Sequence, residues 1–200
     1  MKKLVALAGM TVGALAVAVA PVSGTPAPAQ PSLRQYLAAM SWPMRASVGR
    51  TAPVRDSIDG FLGQGDPPYL GGIAFGCRNL RAVEARGHLL RIEPPASLEG
   101  THARLSQAYS NMRADCREAR LAALEVVAAM NRASKTGNAK DKAALERTAA
   151  AARLSLRRFE QTTLRSFIDA ARVWRAATLR YAAAVGVPPP KWLKALPLGR

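Results

Sequence analysis

The chain is poor in the residues from which most catalytic and metal sites are built. Its 200 residues include two histidines and two cysteines. The GxSxG, HExxH, GxGxxG and GxxxxGK[ST] patterns, which have known hydrolytic, metal-binding or phosphate-binding roles, do not occur. The cysteines form neither a CxxC nor a CxxCH pattern, so no dithiol redox motif and no haem attachment is indicated. The sequence therefore predicts a protein that is not an enzyme and has no cofactor.

Aromatic residues and acidic residues are also scarce. Phe, Trp and Tyr make up 6% of the chain, although hydrophobic residues reach 49%, so the core must consist mainly of alanine and aliphatic side chains. Thirteen acidic residues oppose 29 Lys and Arg, which gives a net charge of +16. A net charge of this size affects solubility and favours anionic partners, and it gives no information about the fold.

Long hydrophobic runs are limited to the N-terminus. Lys2 and Lys3 precede an uncharged run from Leu4 to Ala20, and small residues and prolines follow it. This order is typical of a secretory signal peptide. We expect residues 1–29 to be removed after Ala29, with cleavage after Ala20 as the alternative. The processed chain would then carry +14, have no transmembrane span, and be secreted or associated with a bacterial cell envelope.

Beyond this segment, apolar residues follow the three- and four-residue spacing of helices. Residues 30–66 are predicted to form a Pro/Ala-rich linker and a first helix that Pro43 and Pro53 break. Residues 67–186 are predicted to form the core of the bundle, and residues 187–200 a Pro-rich basic tail. The fold class expected is all-α, an elongated antiparallel bundle of three to four helices.

Two long helices dominate the predicted core. The third helix is expected to begin with Ser97 as its N-cap, and its apolar positions alternate steps of four and three without a break, as in a helix packed against a partner. The fourth helix is expected to begin after the N-cap Asn138 and to reach about residue 185. Near Thr163 the spacing between its apolar positions is one residue longer than the heptad repeat requires, and this locally relaxes the repeat.

The two cysteines of an exported protein are expected to form a disulfide. If the Pro94-Pro95 turn folds the second and third helices into a hairpin, Cys77 and Cys116 lie at similar heights along it. We therefore predict that a Cys77–Cys116 disulfide links these two helices.

The same hairpin brings together the two histidines, His88 and His102, near its proline turn. Imidazole is a ligand for zinc, copper and haem iron, so a metal- or haem-binding bundle is an alternative function. Against it, the closely spaced ligand patterns of zinc motifs are missing.

Arginine is concentrated in the last helix, where we predict a basic ridge. Arg158, Arg165 and Arg172 recur every seven residues and so lie on one side of a regular helix. Arginine binds phosphate and carboxylate oxygens in pairs. The site residues predicted for an anionic partner are Arg153, Arg158, Arg165, Arg172 and Arg175.

These features predict an exported, non-enzymatic helical protein that contacts an anionic component of the cell envelope. The partner classes are a wall polymer, an anionic lipid or an acidic protein, and export argues against a specific nucleic acid. A further alternative is a purely structural coiled-coil module that forms a homodimer. The tail Lys191–Leu198 alternates cations with apolar groups, and either packs on the end of the bundle or lies at a membrane interface.

Overall fold

The computed structural model describes residues 32–85 and 89–198, and of residues 81–85 the backbone alone. The predicted signal peptide therefore lies outside the described residues. The described residues form helices and turns without a strand, and this confirms the all-α prediction. The α-helices are α1 Leu33–Gln64, α2 Pro67–Ala85, α3 Glu99–Thr136, α4 Ala139–Arg158, α5 Arg165–Ala184 and α6 Lys191–Lys194.

The prediction that prolines break the first helix is wrong. α1 is one helix of 32 residues that contains Pro43 and Pro53. A proline inside a helix costs about 3 kcal/mol, and burying one large apolar side chain contributes about 1.5 to 3 kcal/mol. Both halves of α1 bury such side chains in the same core, so packing outweighs the two prolines. They are Leu37, Met40, Met44, Val48, Val54, Ile58 and Phe61.

α1 and α2 pack closely because glycines of α2 lie against α1. A Cβ atom at Gly76 would collide with a γ-methyl group of Val54, and one at Gly72 would collide with Ser57 Oγ. Glycine weakens a helix by about 1 kcal/mol relative to alanine, and here it removes the atom that would hold the two helices apart. In return, α2 buries Leu70, Ile73, Cys77 and Leu80.

α3 follows two 3₁₀ turns, Leu89–Arg91 and Ala96–Leu98. Ser97 lies inside the second turn, so the prediction that it caps the helix is wrong: the N-cap position is Leu98, without a side-chain hydrogen bond. The predicted apolar seam of α3 is nonetheless the face that enters the core. All of its positions are buried except Met130, which is partly buried: Leu98, His102, Leu105, Tyr109, Met112, Cys116, Ala119, Ala123, Val126 and Met130.

The predicted last helix consists of α4 and α5 joined by a π-helical segment, Phe159–Leu164. Asn138 caps α4 as predicted, since its side chain accepts a hydrogen bond from the Asp141 N–H at 2.7 Å. The π-helical segment contains Thr163, where the sequence has its additional residue. A π-helical turn accommodates one more residue than an α-helical turn, so the apolar faces of α4 and α5 both continue to face α3.

α3 and the α4–α5 element run in opposite directions. Asp115 accepts a hydrogen bond from Thr163, and Tyr109 lies farther back along α3 with its ring 5.9 Å from that of Phe167. α1 and α2 cover one side of this pair, and their apolar residues belong to the same core. On the other side, no described segment of the chain covers the groove between α3 and α4, where Leu121 and Leu154 are exposed.

Candidate functional site

Two of the five predicted ridge arginines hold the C-terminal tail. Arg172 donates from Nε and Nη2 to the carbonyl oxygen of Leu198, at 3.1 and 2.8 Å. Its Nη1 donates to Asp169 Oδ1 at 2.8 Å. Arg175 donates to the carbonyl oxygen of Leu196 at 3.2 Å. These two guanidinium groups therefore bind backbone carbonyls of the tail.

The tail packs on the end of the bundle, the first of the two placements expected for it. The Trp192 ring stacks on Trp174 with 6.5 Å between centroids and 19° between planes. Leu193, Leu196 and Leu198 are buried. Apolar contacts and the arginine hydrogen bonds thus hold the same short segment.

The other three ridge arginines lie in different surroundings. The Arg153 guanidinium lies 5.6 Å from the centre of the Phe61 ring, within cation–π range. Arg158 and Arg165 are exposed, and the π-helical segment lies between them. The additional residue of that segment rotates Arg158 relative to Arg165 by about 100°, compared with a regular α-helix. The five arginines therefore do not form one continuous ridge.

Arg165 and Arg172 instead border a cavity of about 290 Å³. The cavity lies between α1, the π-helical segment, α5 and the tail, and Arg55 from α1 forms its opposite wall. The residues that line it are Thr51, Ala52, Arg55, Glu160, Leu164, Arg165, Ile168, Asp169, Arg172, Pro197 and Leu198. Three arginines and two carboxylates thus surround a floor of apolar side chains.

The arginines of this cavity differ in how far they are already engaged. Arg172 is held by Asp169 and by the tail. Within the described part of the chain, the Arg55 and Arg165 guanidinium groups have no hydrogen-bond or ion-pair partner. An arginine presents five N–H donors in a planar fork that matches carboxylate and phosphate oxygens. The cavity can therefore accept an anionic group between Arg55 and Arg165, with apolar atoms beneath it.

Arg55 is the site residue that sequence reasoning missed. It lies on the predicted broken helix, far in sequence from the arginine-rich last helix. The helical spacing of the apolar residues on either side of Pro53 was the signal that could have placed Arg55 on a continuous surface helix.

His102 takes part in a buried chain of hydrogen bonds. Trp174 Nε1 donates to Tyr36 Oη at 2.7 Å, and Tyr36 Oη lies 2.9 Å from His102 Nδ1. If Tyr36 accepts from Trp174 and is buried, its own proton needs an acceptor, which His102 Nδ1 provides. This assigns the proton of the neutral imidazole to Nε2.

Burial determines the protonation states of His102 and Tyr36. It lowers the pKa of His102 below its ordinary value, and it raises the pKa of Tyr36 well above its ordinary value. His102 is thus neutral at pH 7, and a protonated Nε2 has no lone pair to offer a metal ion. His88, the other predicted ligand, lies outside the described residues, and the described residues contain no group of three or more His, Cys, Asp or Glu side chains placed to hold a metal ion.

Cys77 and Cys116 are both buried, on α2 and α3, which pack against each other. The structure has no bond between their sulfur atoms. The predicted disulfide is therefore not formed here, although both side chains belong to the same core. A disulfide requires sulfur atoms about 2.05 Å apart.

Comparisons with known proteins give no relative from which a function could be transferred. No protein-family model, curated protein or solved structure matches the chain. Among the helices of the described residues, none combines the length and the apolar character that crossing a bilayer requires.

Proposed function

We propose that this chain is an exported, non-enzymatic helical protein that binds an anionic group of a cell-envelope partner. The observation that supports the proposal is the cavity in which Arg55 and Arg165 face a common space without partners of their own. A guanidinium group is the side chain best suited to phosphate and carboxylate oxygens. The protein would therefore recognise its partner by such a group.

The size and lining of the cavity limit the classes of ligand that it can bind. A space of about 290 Å³ is at the lower limit of small-molecule sites, so it accepts a single headgroup or sugar-phosphate unit. The apolar floor of Leu164 and Ile168 favours a group that has hydrocarbon next to its charge. Phosphate groups of this kind occur in lipids and in wall polymers, and both remain within the proposal.

Export and the disulfide belong to the same proposal. The N-terminal Lys2-Lys3 and the apolar run that follows support export, and an exported chain meets oxidising conditions. We propose that Cys77 and Cys116 become oxidised there and link α2 to α3 in an antiparallel bundle. Closing a loop of about 40 residues would stabilise the fold by roughly 4 kcal/mol.

Thiol labelling in denaturant tests the disulfide. Protein isolated after export should show no reactive thiol until a reductant is added, and both thiols afterwards. Labelling of both thiols without reductant would contradict the proposal.

Co-sedimentation tests the binding function. Purified protein is mixed with isolated cell walls, vesicles of anionic phospholipid, and neutral vesicles, each across a range of salt concentrations. We expect binding to walls or to anionic vesicles that falls steeply with salt, since exposed charges are screened. The two anionic arms distinguish a wall polymer from a lipid.

Matched variants test whether the cavity is the binding site. The double substitution Arg55→Gln and Arg165→Gln should weaken binding by about 100-fold or more, because each change removes a charge-assisted hydrogen bond worth about 1.5 to 3 kcal/mol. Arg45→Gln with Arg104→Gln removes the same charge from exposed positions that do not line the cavity. Equal losses in both variants would show that net charge alone drives binding. Absence of binding by the unmodified protein in every arm would contradict the function itself.

A further inference from the structure

The arginine cavity also contains a carboxylate that binding of a simple anion would not use. Glu160 lines the same space as Arg55 and Arg165, and it is half-buried. In the part of the chain that the structure describes, its carboxylate has no hydrogen-bond or ion-pair partner. Removing a charged group from water without giving it a partner is unfavourable. The cavity therefore presents one negative group without a partner beside two positive ones.

The π-helical segment places Glu160 on the side of Arg165. The backbone N–H of Arg165 donates to the carbonyl oxygen of Glu160, five residues earlier, so one π-helical turn separates the two residues. In a regular α-helix, residues five apart differ by about 140° around the axis, and their side chains would diverge. Single π-helical turns inside α-helices occur frequently at functional sites. This one brings charges of opposite sign to the same cavity.

The second carboxylate of the cavity, that of Asp169, is already paired. It accepts a hydrogen bond from Arg172 Nη1 at 2.8 Å, and Arg172 also donates to the carbonyl oxygen of Leu198. Asp169 and Arg172 therefore neutralise each other and hold the tail. The charged groups that remain for a ligand are Arg55, Arg165 and Glu160.

These three charges disfavour a ligand that is only an anion. A phosphate between Arg55 and Arg165 would lie beside Glu160, and charges of like sign repel each other. If the ligand also carries an ammonium group, that group can donate charge-assisted hydrogen bonds to the Glu160 carboxylate. A binding site rejects a competitor by opposing it with a charge of like sign. Glu160 would thus distinguish the two kinds of ligand.

We propose that the cavity binds a phosphate ester that carries a primary ammonium group, an inference that rests on the proposed function. Arg55 and Arg165 bind the phosphate oxygens, and Glu160 binds the ammonium group. The short hydrocarbon that joins the two lies on Leu164 and Ile168, which form the apolar floor. Aminophospholipid headgroups and amine-bearing wall polymers both contain this chemistry.

Two small phosphate esters of equal chain length test the proposal. Phosphoethanolamine ends in an ammonium group, and propyl phosphate has a methyl group at the same position. NMR titration of the purified protein at about pH 8, where the phosphate of each is dianionic, gives both affinities. We expect phosphoethanolamine to bind about tenfold more tightly, because it gains a charge-assisted hydrogen bond to a half-buried carboxylate.

The variant Glu160→Gln should abolish this preference. It keeps the size of the side chain and removes its charge, so binding of phosphoethanolamine should weaken by about tenfold. Binding of propyl phosphate should stay the same or become tighter, because the repulsion is removed. General damage to the fold would weaken both ligands. Glu146→Gln removes a carboxylate from an exposed position outside the cavity and should change neither affinity.

Co-sedimentation distinguishes the two sources of the group. One arm compares vesicles of phosphatidylcholine with and without phosphatidylethanolamine. The other arm compares isolated cell walls before and after acetylation of their amines, which removes the positive charge. Binding that requires phosphatidylethanolamine would identify a lipid, and binding to walls that acetylation abolishes would identify a polymer.

Two results would overturn the inference and leave the proposed function intact. One is binding of propyl phosphate that is as tight as that of phosphoethanolamine. The other is a preference for phosphoethanolamine that survives Glu160→Gln. If neither ester binds, or if Arg55→Gln with Arg165→Gln weakens neither, the cavity does not bind anions, and the proposed function is contradicted together with this inference.

Discussion

The close packing of α1 against α2 can be tested by comparing two glycines of the same helix. Gly71 has open space around its Cα, whereas a Cβ at Gly76 would collide with a γ-methyl group of Val54. Both glycines have negative φ, as α-helices require. Gly71→Ala and Gly76→Ala therefore bring the same gain in helix propensity, about 1 kcal/mol, and differ in the collision.

The collision should reverse the sign of the effect. Inserting a methyl group into a packed interior costs about 1 to 3 kcal/mol, and Val54 is fully buried with a stiff β-branched side chain. We expect Gly71→Ala to raise the free energy of unfolding by about 1 kcal/mol, and Gly76→Ala to leave it unchanged or to lower it by up to about 2 kcal/mol. For a chain of this length, the melting temperatures would differ by about 2 to 12 °C.

Urea unfolding followed by circular dichroism measures both values. A Val54→Ala background supplies the control, because it removes the γ-methyl groups that Gly76→Ala would meet. In that background the difference between the two alanine variants should shrink, and the double-mutant cycle gives the coupling between residues 54 and 76. If Gly76→Ala stabilises the protein as much as Gly71→Ala does, α1 and α2 are not in close contact at this point, and the reasoning is refuted.

Three further predictions concern the end of the bundle where the tail packs. Tyr36→Phe should lower the free energy of unfolding by about 1 to 3 kcal/mol in urea titrations, because it leaves Trp174 Nε1–H buried without an acceptor. Burial lowers the pKa of His102 from its ordinary value of 6.5, so as the pH falls the imidazole of the unfolded chain is protonated before that of the folded chain. The contribution of His102 to the free energy of unfolding should therefore be complete above about pH 6.5 and should decrease as the pH falls below that value. His102→Asn should flatten this dependence between about pH 7 and 5, and an unchanged slope would exclude His102 as its source. Arg172→Gln should loosen the tail, and the separation of Trp192 from Trp174 should then shift the tryptophan fluorescence to longer wavelength. An unchanged spectrum would show that the apolar contacts alone hold the tail.

The sequence predicted which face of a helix is buried better than it predicted where a helix is interrupted. The steps of four and three along α3 depend on local periodicity, and that face is the one that is buried. Pro43 and Pro53 are local signals of a break, but the apolar side chains of both halves of α1 pack into one core. Burial is a tertiary effect that the local rule for proline does not include, and the helical spacing of the apolar residues on either side of Pro53 was the one sign in the sequence of a continuous helix.

The candidate site was predicted in part. Arginine content indicated an anion-binding surface, and Arg165 does border the cavity. The engagement of Arg172 and Arg175 with carbonyls of the tail depends on where the chain returns after Gly186, which spacing along one helix does not contain. Arg55 was missed for the same reason, because it reaches the cavity from a helix that is distant in sequence.

One structural feature explains why the basic residues of the last helix divide between two surfaces. The buried positions 159, 163 and 167 are separated by two steps of four residues, and a regular α-helix would turn Phe167 by about 80° relative to Phe159. The π-helical segment absorbs the additional residue, and Thr162 donates a hydrogen bond to the carbonyl oxygen of Arg158 at 2.6 Å, which satisfies a backbone group there. The same additional residue turns Arg158 toward the α3–α4 groove and leaves Arg165 at the cavity. The packing requirement of the core therefore separates the two arginines, and Arg158 and Arg165 line different surfaces of the bundle.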